Sequence, residues 1–278
     1  GALFTCKANT DKSQDVTCPS GQYINPYISI LNDSSKDKRT KQCCIDYETQ
    51  LYCSTNPKGN NITQNVPYDR IARERIAAQG FEPAASHYWV FRDITPVPEI
   101  ATEQIRVFLG RRLGCAQCHN HPFNEWKQQK FWEMNAFFRQ TRALRRFVPG
   151  TRTVSGAELI DEDFAGEGRT GDAEEADIYY ELRNGLTKVA YPVFVDGTGI
   201  GRSGYVEDVV RRTELGKLIL SSEYLEKTVV NRMWAHFMGY GFTKPIDDMG
   251  PHNPASHPEL VAYLGQQFRK KSFDLKQL

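Results

Sequence analysis

Residues 111 to 126 read RRLGCAQCHNHPFNEW and hold two of the seven cysteines and two of the six histidines of the chain. Cys115-Ala116-Gln117-Cys118-His119 has the C-x-x-C-H spacing of covalent haem attachment. Two thiols one turn apart can form thioethers with the two vinyl groups of one porphyrin. The next residue then brings an imidazole under the iron, with its second nitrogen expected to donate to a carbonyl or carboxylate. Three other chemistries use the same residues. A Cys115–Cys118 disulfide would leave His119 an ordinary turn residue. A thioredoxin-like redox pair needs a strand-to-helix context, whereas this pair follows a helical pattern. Zinc could take both thiolates with His119 and His121, although ligands so close in sequence rarely close a tetrahedron. Haem ranks first, disulfide second and zinc third.

With haem, His119 is the expected proximal iron ligand, and the opposite face needs a residue from elsewhere. His121 is too near His119 to reach it. His236 is the candidate distal ligand, because Val229, Met233 and Tyr240 share its helical side and suggest a core. A hydrogen-bonded core histidine is an equal alternative. Met233, Met238 and Met249 read first as packing residues, and His252 and His257 as loop and cap residues. His87 precedes the motif. Arg111, Arg112 and the later arginines could hold propionates by charge-assisted bonds, against a default of solvated surface. Trp126, Phe131, Trp132 and Phe138 could wall a porphyrin, or simply pack helices together.

The elements that must position this motif are mostly helical patterns. PEIATEQIRVFLGRRLG places Ile100, Ile105, Phe108 and Leu109 at helical spacing, with Gly114 as a stop. Asn124 can cap a third helix, EWKQQKFWEMNAFFRQ. YDRIARERIAAQ, EDVVRRTELGKLIL and EYLEKTVVNRMWAHFMGY are amphipathic, and Gly239 and Gly241 can end the last. Ser256-His257-Pro258-Glu259 reads as a capping box with Pro at the first helical position. Between Ser155 and Glu181 stand ten carboxylates against one arginine, shortly after the Arg139–Arg152 cluster. These read as two solvated faces of opposite sign, the acidic one an exposed loop. TKVAYPVFVDG is β-prone and suggests a short hairpin.

Composition bounds the function. Thirty-five basic residues balance 34 acidic ones, which gives no chain-wide field for nucleic acid or anionic membrane. No apolar run approaches a transmembrane segment, and the start lacks the pattern of a signal peptide. Cys6, Cys18, Cys43, Cys44 and Cys53 crowd a polar, turn-rich head, as in a disulfide scaffold of an oxidising compartment. Five is odd, so one thiol is expected to be free or to bond outside the head. Asn32-Asp33-Ser34 and Asn61-Ile62-Thr63 are glycosylation acceptor patterns, which fit a secreted glycoprotein.

NVPYDRIARERIAAQG, FLGRRLGCAQCHNHPFNEW and YLEKTVVNRMWAHFMGYGFTKPIDDMGPHNPASHPELVAYLGQQFRKKSFDL together resemble the planctomycete-type cytochrome-c-like family. In that family a cytochrome-like domain is followed by a companion domain of unassigned function. The resemblance covers about residues 64–147 and 186–278. It implies an exported protein with c-type haem at Cys115, Cys118 and His119, and no known reaction. The head looks more like eukaryotic surface-protein repeats.

The expected fold class is mainly α, with a disulfide-rich, irregular or β head and a short β hairpin. The expected domains are the head at 1–63, the helical C-x-x-C-H region at 64–150, the acidic loop and hairpin at 151–203, and the companion domain at 204–278, incomplete at its end. The expected function is an exported c-type cytochrome that binds one covalent haem and transfers electrons to an unknown redox partner, in the periplasm, at the cell surface or outside the cell. Electron transfer ranks ahead of an enzymatic role, because no hydrolytic triad, phosphate loop or paired acid/base carboxylate is evident. The alternative is an extracellular, filament-forming surface protein that self-assembles through the head, with Cys115 and Cys118 in a disulfide or metal site.

Overall fold

A computed structural model describes four three-residue strands within residues 1–64, then residues 65–80, 97–167 and 172–278. The chain divides at Gln64/Asn65 into two compact units. In the first, β1 (Leu3–Thr5) pairs antiparallel with β3 (Ser29–Leu31), and β2 (Gln22–Ile24) with β4 (Cys44–Asp46). The expected disulfides of Cys6, Cys18, Cys43 and Cys53, the patterns at Asn32 and Asn61, and His87 lie outside the described residues; so does the side chain of Cys44.

The second unit, Asn65–Leu278, is mixed α/β, not mainly α. Its described residues form six α-helices and two small antiparallel sheets. The helices are α1 (Tyr68–Ile76), α2 (Val97–Leu109), α3 (Gln128–Ala136), α4 (Arg211–Ser221), α5 (Glu223–Met238) and α6 (Pro258–Lys270). Between α3 and α4, β5 (Thr141–Phe147) pairs with β6 (Val154–Asp161), and β7 (Ile178–Glu181) with β8 (Thr187–Ala190). Helix α2 lies against α3 and α5, α1 against α4, and α5 against α6. Ile105, Phe108, Phe131, Phe137, Leu215 and Phe268 anchor the shared apolar core. None of the described helices is long and apolar enough to cross a membrane.

The departure from an all-helical body begins in the charged middle of the chain. The residues read as an acidic loop start as strand β6, whose Leu159 is buried in the core. Asp161, at the end of that strand, pairs with Arg212 at 2.8 Å, and both side chains are almost fully buried. Arg212 also donates to the carbonyls of Ile76 and Ala78. Next to it, buried Arg211 donates to the carbonyls of Ala136, Ala176, Arg202 and Ser203. Burial draws the Arg211 guanidinium down to about 10. These two arginines therefore work from inside, pinning the strands and the loops before α4 to α1 and α3. Of the preceding cluster, Arg139 is half-buried and pairs with Glu167, whereas Arg142 pairs with Glu162 on the exposed surface.

Several helix ends also differ from expectation. Helix α2 stops at Gly110 rather than Gly114, because Gly110 adopts a left-handed φ of 58°. A Cβ there would meet Met249 and Thr228 at 2.9 Å, so glycine answers both the turn and the close approach. Asn124 accepts from Trp126 N–H, and α3 starts later, after Lys127. Pro258 opens α6 as expected, but His257 precedes it and no side chain caps the helix.

Breaking a buried ion pair on one side strands a charge, whereas replacing both partners does not. Arg212→Met is expected to lower unfolding free energy by about 3–5 kcal/mol. The double variant Arg212→Met/Asp161→Leu should recover most of that loss. Urea denaturation of the three proteins checks both.

Candidate functional site

The chain leaves α2 at Gly110 and enters a short 3-10 turn, Gly114–Gln117. Leu113 and Ala116, fully buried, hold the inner side of this turn against the core. The thiols of Cys115 and Cys118 therefore fall on the outer side, where both are exposed and unbridged. Helix α3 fixes the turn from below. Trp132 Nε1–H and Gln128 Nε2–H both donate to the Gln117 carbonyl, at 3.1 and 3.2 Å. Trp132 in turn stacks on Tyr180 of β7. The aromatic load of α3 thus serves mainly as core and as a brace for the cysteine turn.

The two imidazoles that follow are set differently by their neighbours. His119 Nδ1 lies 2.6 Å from the Asn120 carbonyl oxygen, which can only accept. The ring proton is then on Nδ1, and Nε2 carries a free lone pair. His121 Nδ1 instead accepts from Phe123 N–H at 3.2 Å, which places the proton of the neutral ring on Nε2. Burial lowers the His121 pKa against the opposing charge of Asp248, so the ring is neutral near pH 7. One imidazole presents a ligand atom, the other an N–H.

A cavity of about 420 Å³ opens beside Cys115. Its walls include Arg106 and Arg112, the apolar Leu113 and Phe123, and two groups that face one another across the fold, His121 and Asp248. Phe123 is 84% exposed at the rim. Asp248 belongs to the segment after α5, which docks on the end of α2 by Met249 N–H to the Gly110 carbonyl at 2.7 Å. Asp247 accepts from Arg106 at 2.9 Å and from Arg112 at 2.5 Å. Burial raises the Asp247 carboxyl, but hydrogen bonds and charge from the two arginines outweigh it and hold the group below the usual carboxylate range. Arg111 points elsewhere. It is sandwiched between the Trp126 and Tyr224 rings, at 4.2 and 4.7 Å, and pairs with Glu125. His252 sits between Glu125 at 3.5 Å and Asp248 at 3.2 Å, within ion-pair reach but outside hydrogen-bond alignment.

The structure thus brings Cys115, Cys118 and His119 onto one outward turn, while the cavity itself is lined by Cys115 and His121. His236 is solvent-exposed in the last turn of α5, edge-on to Phe237, and does not line the cavity. Met233 packs against the core, Met249 is buried against Gly110 and Met238 is exposed. Among the described residues, no group of three or more His, Cys, Asp or Glu is arranged to hold a bare metal ion. Asp247, Asp248 and His252, the last read from sequence as a loop residue, are the contributors that sequence patterning did not bring to the site. The one signal for Asp247 was its charge, opposite to that of Arg106 and Arg112, and spacing alone cannot pair residues so far apart.

Residues 59–143 match the PSCyt2 family model, described as a protein of unknown function (DUF1549). Residues 211–278 match PSD1, also a protein of unknown function (DUF1553). The two matches are consistent with a planctomycete-type cytochrome-c-like protein followed by its companion domain. No curated protein and no solved structure matches the chain.

The cavity therefore crosses the boundary between two family matches. The PSCyt2-matching segment supplies Cys115, Arg106 and Arg112; the PSD1-matching segment supplies Asp248 to the lining and Asp247 as the partner of both arginines. The depressed pKa of Asp247 gives its pairing a definite pH dependence. Its stabilising effect is complete above the unfolded carboxyl value of about 4, and is lost as pH falls through the lower folded value. Asp247→Asn is expected to cost about 1–3 kcal/mol at pH 7. The gap to the parent protein should close below about pH 4, as measured by urea midpoints across pH.

Proposed function

We propose that the turn at Cys115, Cys118 and His119 carries one covalent c-type haem and that the protein is an exported electron carrier. The observation that supports this most is the disposition of the turn itself. Two unbridged thiols face outward within one turn, and the adjoining imidazole has its Nδ1–H engaged by a carbonyl, which leaves Nε2 for iron. These residues fit the group. Cys115 and Cys118 would hold it by thioethers, and His119 Nε2 would ligate the iron. The Asn120 carbonyl orients that ring. Leu113 and Phe123 give the adjoining cavity apolar walls, and neutral His121 adds no charge there. When bound, haem supplies reversible one-electron chemistry, tuned by axial ligation, burial and nearby charge. With His236 exposed and away from the cavity, this reading assigns no distal ligand.

Production of the full chain in an exporting host with c-type haem attachment machinery tests the proposal. The purified protein is expected to show a Soret band and, as its alkaline pyridine haemochrome, the α-band of a haem with two thioethers. Cys118→Ser should shift that haemochrome band to the red, because one vinyl group survives. His119→Ala should keep bound pigment but shift the Soret band of the native protein, because the iron loses its imidazole. A colourless wild-type protein would overturn the proposal.

A further inference from the structure

Three arginines cluster at the cysteine turn, and the structure separates their roles. Arg111 is closed off: its side chain is 10% exposed, stacked between two rings and ion-paired with Glu125. Arg106 is saturated, with Nε and Nη2 donating to Glu103 and Nη1 to Asp247. Arg112 differs from both. Its Nε and Nη2 donate to the same oxygen, Asp247 Oδ1, at 3.1 and 2.5 Å. Its Nη1 has no partner among the described residues, its side chain is 48% exposed, and it lines the same cavity as Cys115. A guanidinium fixed along one edge by a carboxylate presents its remaining N–H groups in a set direction, which suits a second carboxylate.

We propose, resting on the haem reading above, that Arg112 is the anchor for the carboxylate side chains of the bound porphyrin and that Asp247 is its positioning residue. The chemistry at the cavity agrees with this division. Cys115 and Cys118 would hold the porphyrin by thioethers, and its carboxylates would be left to the basic groups that line the cavity beside Cys115. Arg112 is the cavity's one arginine with an uncommitted nitrogen among the described residues. Of the two acidic groups that line the cavity, Glu103 is committed to Arg106, and Asp248 is approached by His252 rather than by Arg112. The PSD1-matching segment then has a function at the cofactor: through Asp247 it holds the guanidinium that receives the carboxylates. Asp247 itself touches no part of the cofactor in this account.

The test is infrared titration of the haem carboxylates, isotope-labelled, in the full-length haem-loaded chain. An opposite charge in contact lowers a carboxyl pKa by about 1–3 units, so Arg112→Gln should raise the carboxylate titration midpoint by about one unit or more. Arg112→Lys, which keeps the charge without the fork, should give a smaller rise. Asp247→Asn, which keeps Arg112 but removes its clamp, should also give a partial rise, with the Soret band and covalent attachment unchanged. An Arg112→Gln titration that overlays wild type, with haem attached, would overturn the anchor while leaving the haem proposal standing. An unchanged midpoint in Asp247→Asn would overturn the positioning role. Wild-type chain that attaches no haem at all would remove the underlying proposal instead.

Discussion

The carboxylate of Asp247 joins two parts of the chain that sequence distance keeps apart. It accepts from Arg106, 141 positions earlier, and from Arg112, 135 positions earlier. Burial disfavours the ionised carboxylate, and the hydrogen bonds and charge of the two guanidinium groups together outweigh that cost. Around this contact the segment after α5 is locked to the end of α2. Met249 N–H caps the Gly110 carbonyl, and Gly110 has no side chain to hold the two backbones apart. Asn231, fully buried in α5, ties the same segment from behind by donating to Thr243 and to the Ile246 carbonyl. The cysteine turn grows directly out of this junction, so its orientation depends on residues far along the chain.

This arrangement gives meaning to the two family matches. They lie on either side of a strand-rich middle, yet their residues meet at one cavity. A cofactor held by the first match would feel charges supplied by the second. The companion segment is then part of the site's electrostatics and not an appendage. The same logic applies to the pair His119 and His121. Their side chains are chemically identical and two residues apart, but one carbonyl and one backbone N–H give them opposite tautomers. Ligand and donor are assigned by local hydrogen bonding, which no motif encodes.

Much of the helical frame was legible from residue order. The 3.6-residue spacing of Ile105, Phe108 and Leu109 marked α2, Gly239 marked the end of α5 in a left-handed conformation, and Pro258 marked the start of α6. The middle of the chain was misread because charge was equated with solvent. Asp161 and Arg212 are both charged and both buried, since each is the other's counter-ion. The mainly helical fold class failed for the same reason: β6 hides its buried Leu159 among acidic neighbours, and the period-two signal is swamped. At the site, the cysteine turn was visible as a motif because its chemistry is local. Asp247, Asp248 and His252 were not, because their significance is a tertiary contact. His236 shows the opposite error: its helical neighbours suggested a core, but it lies in the last exposed turn of α5.

The most direct measurement is peptide mass spectrometry of the full chain, produced with c-type haem attachment machinery, denatured in acid and digested. One peptide should contain Cys115, Cys118 and His119, carry the mass of a single haem and have neither thiol open to alkylation. Recovery of that peptide without haem, with both cysteines alkylated or joined only to each other, would contradict the account.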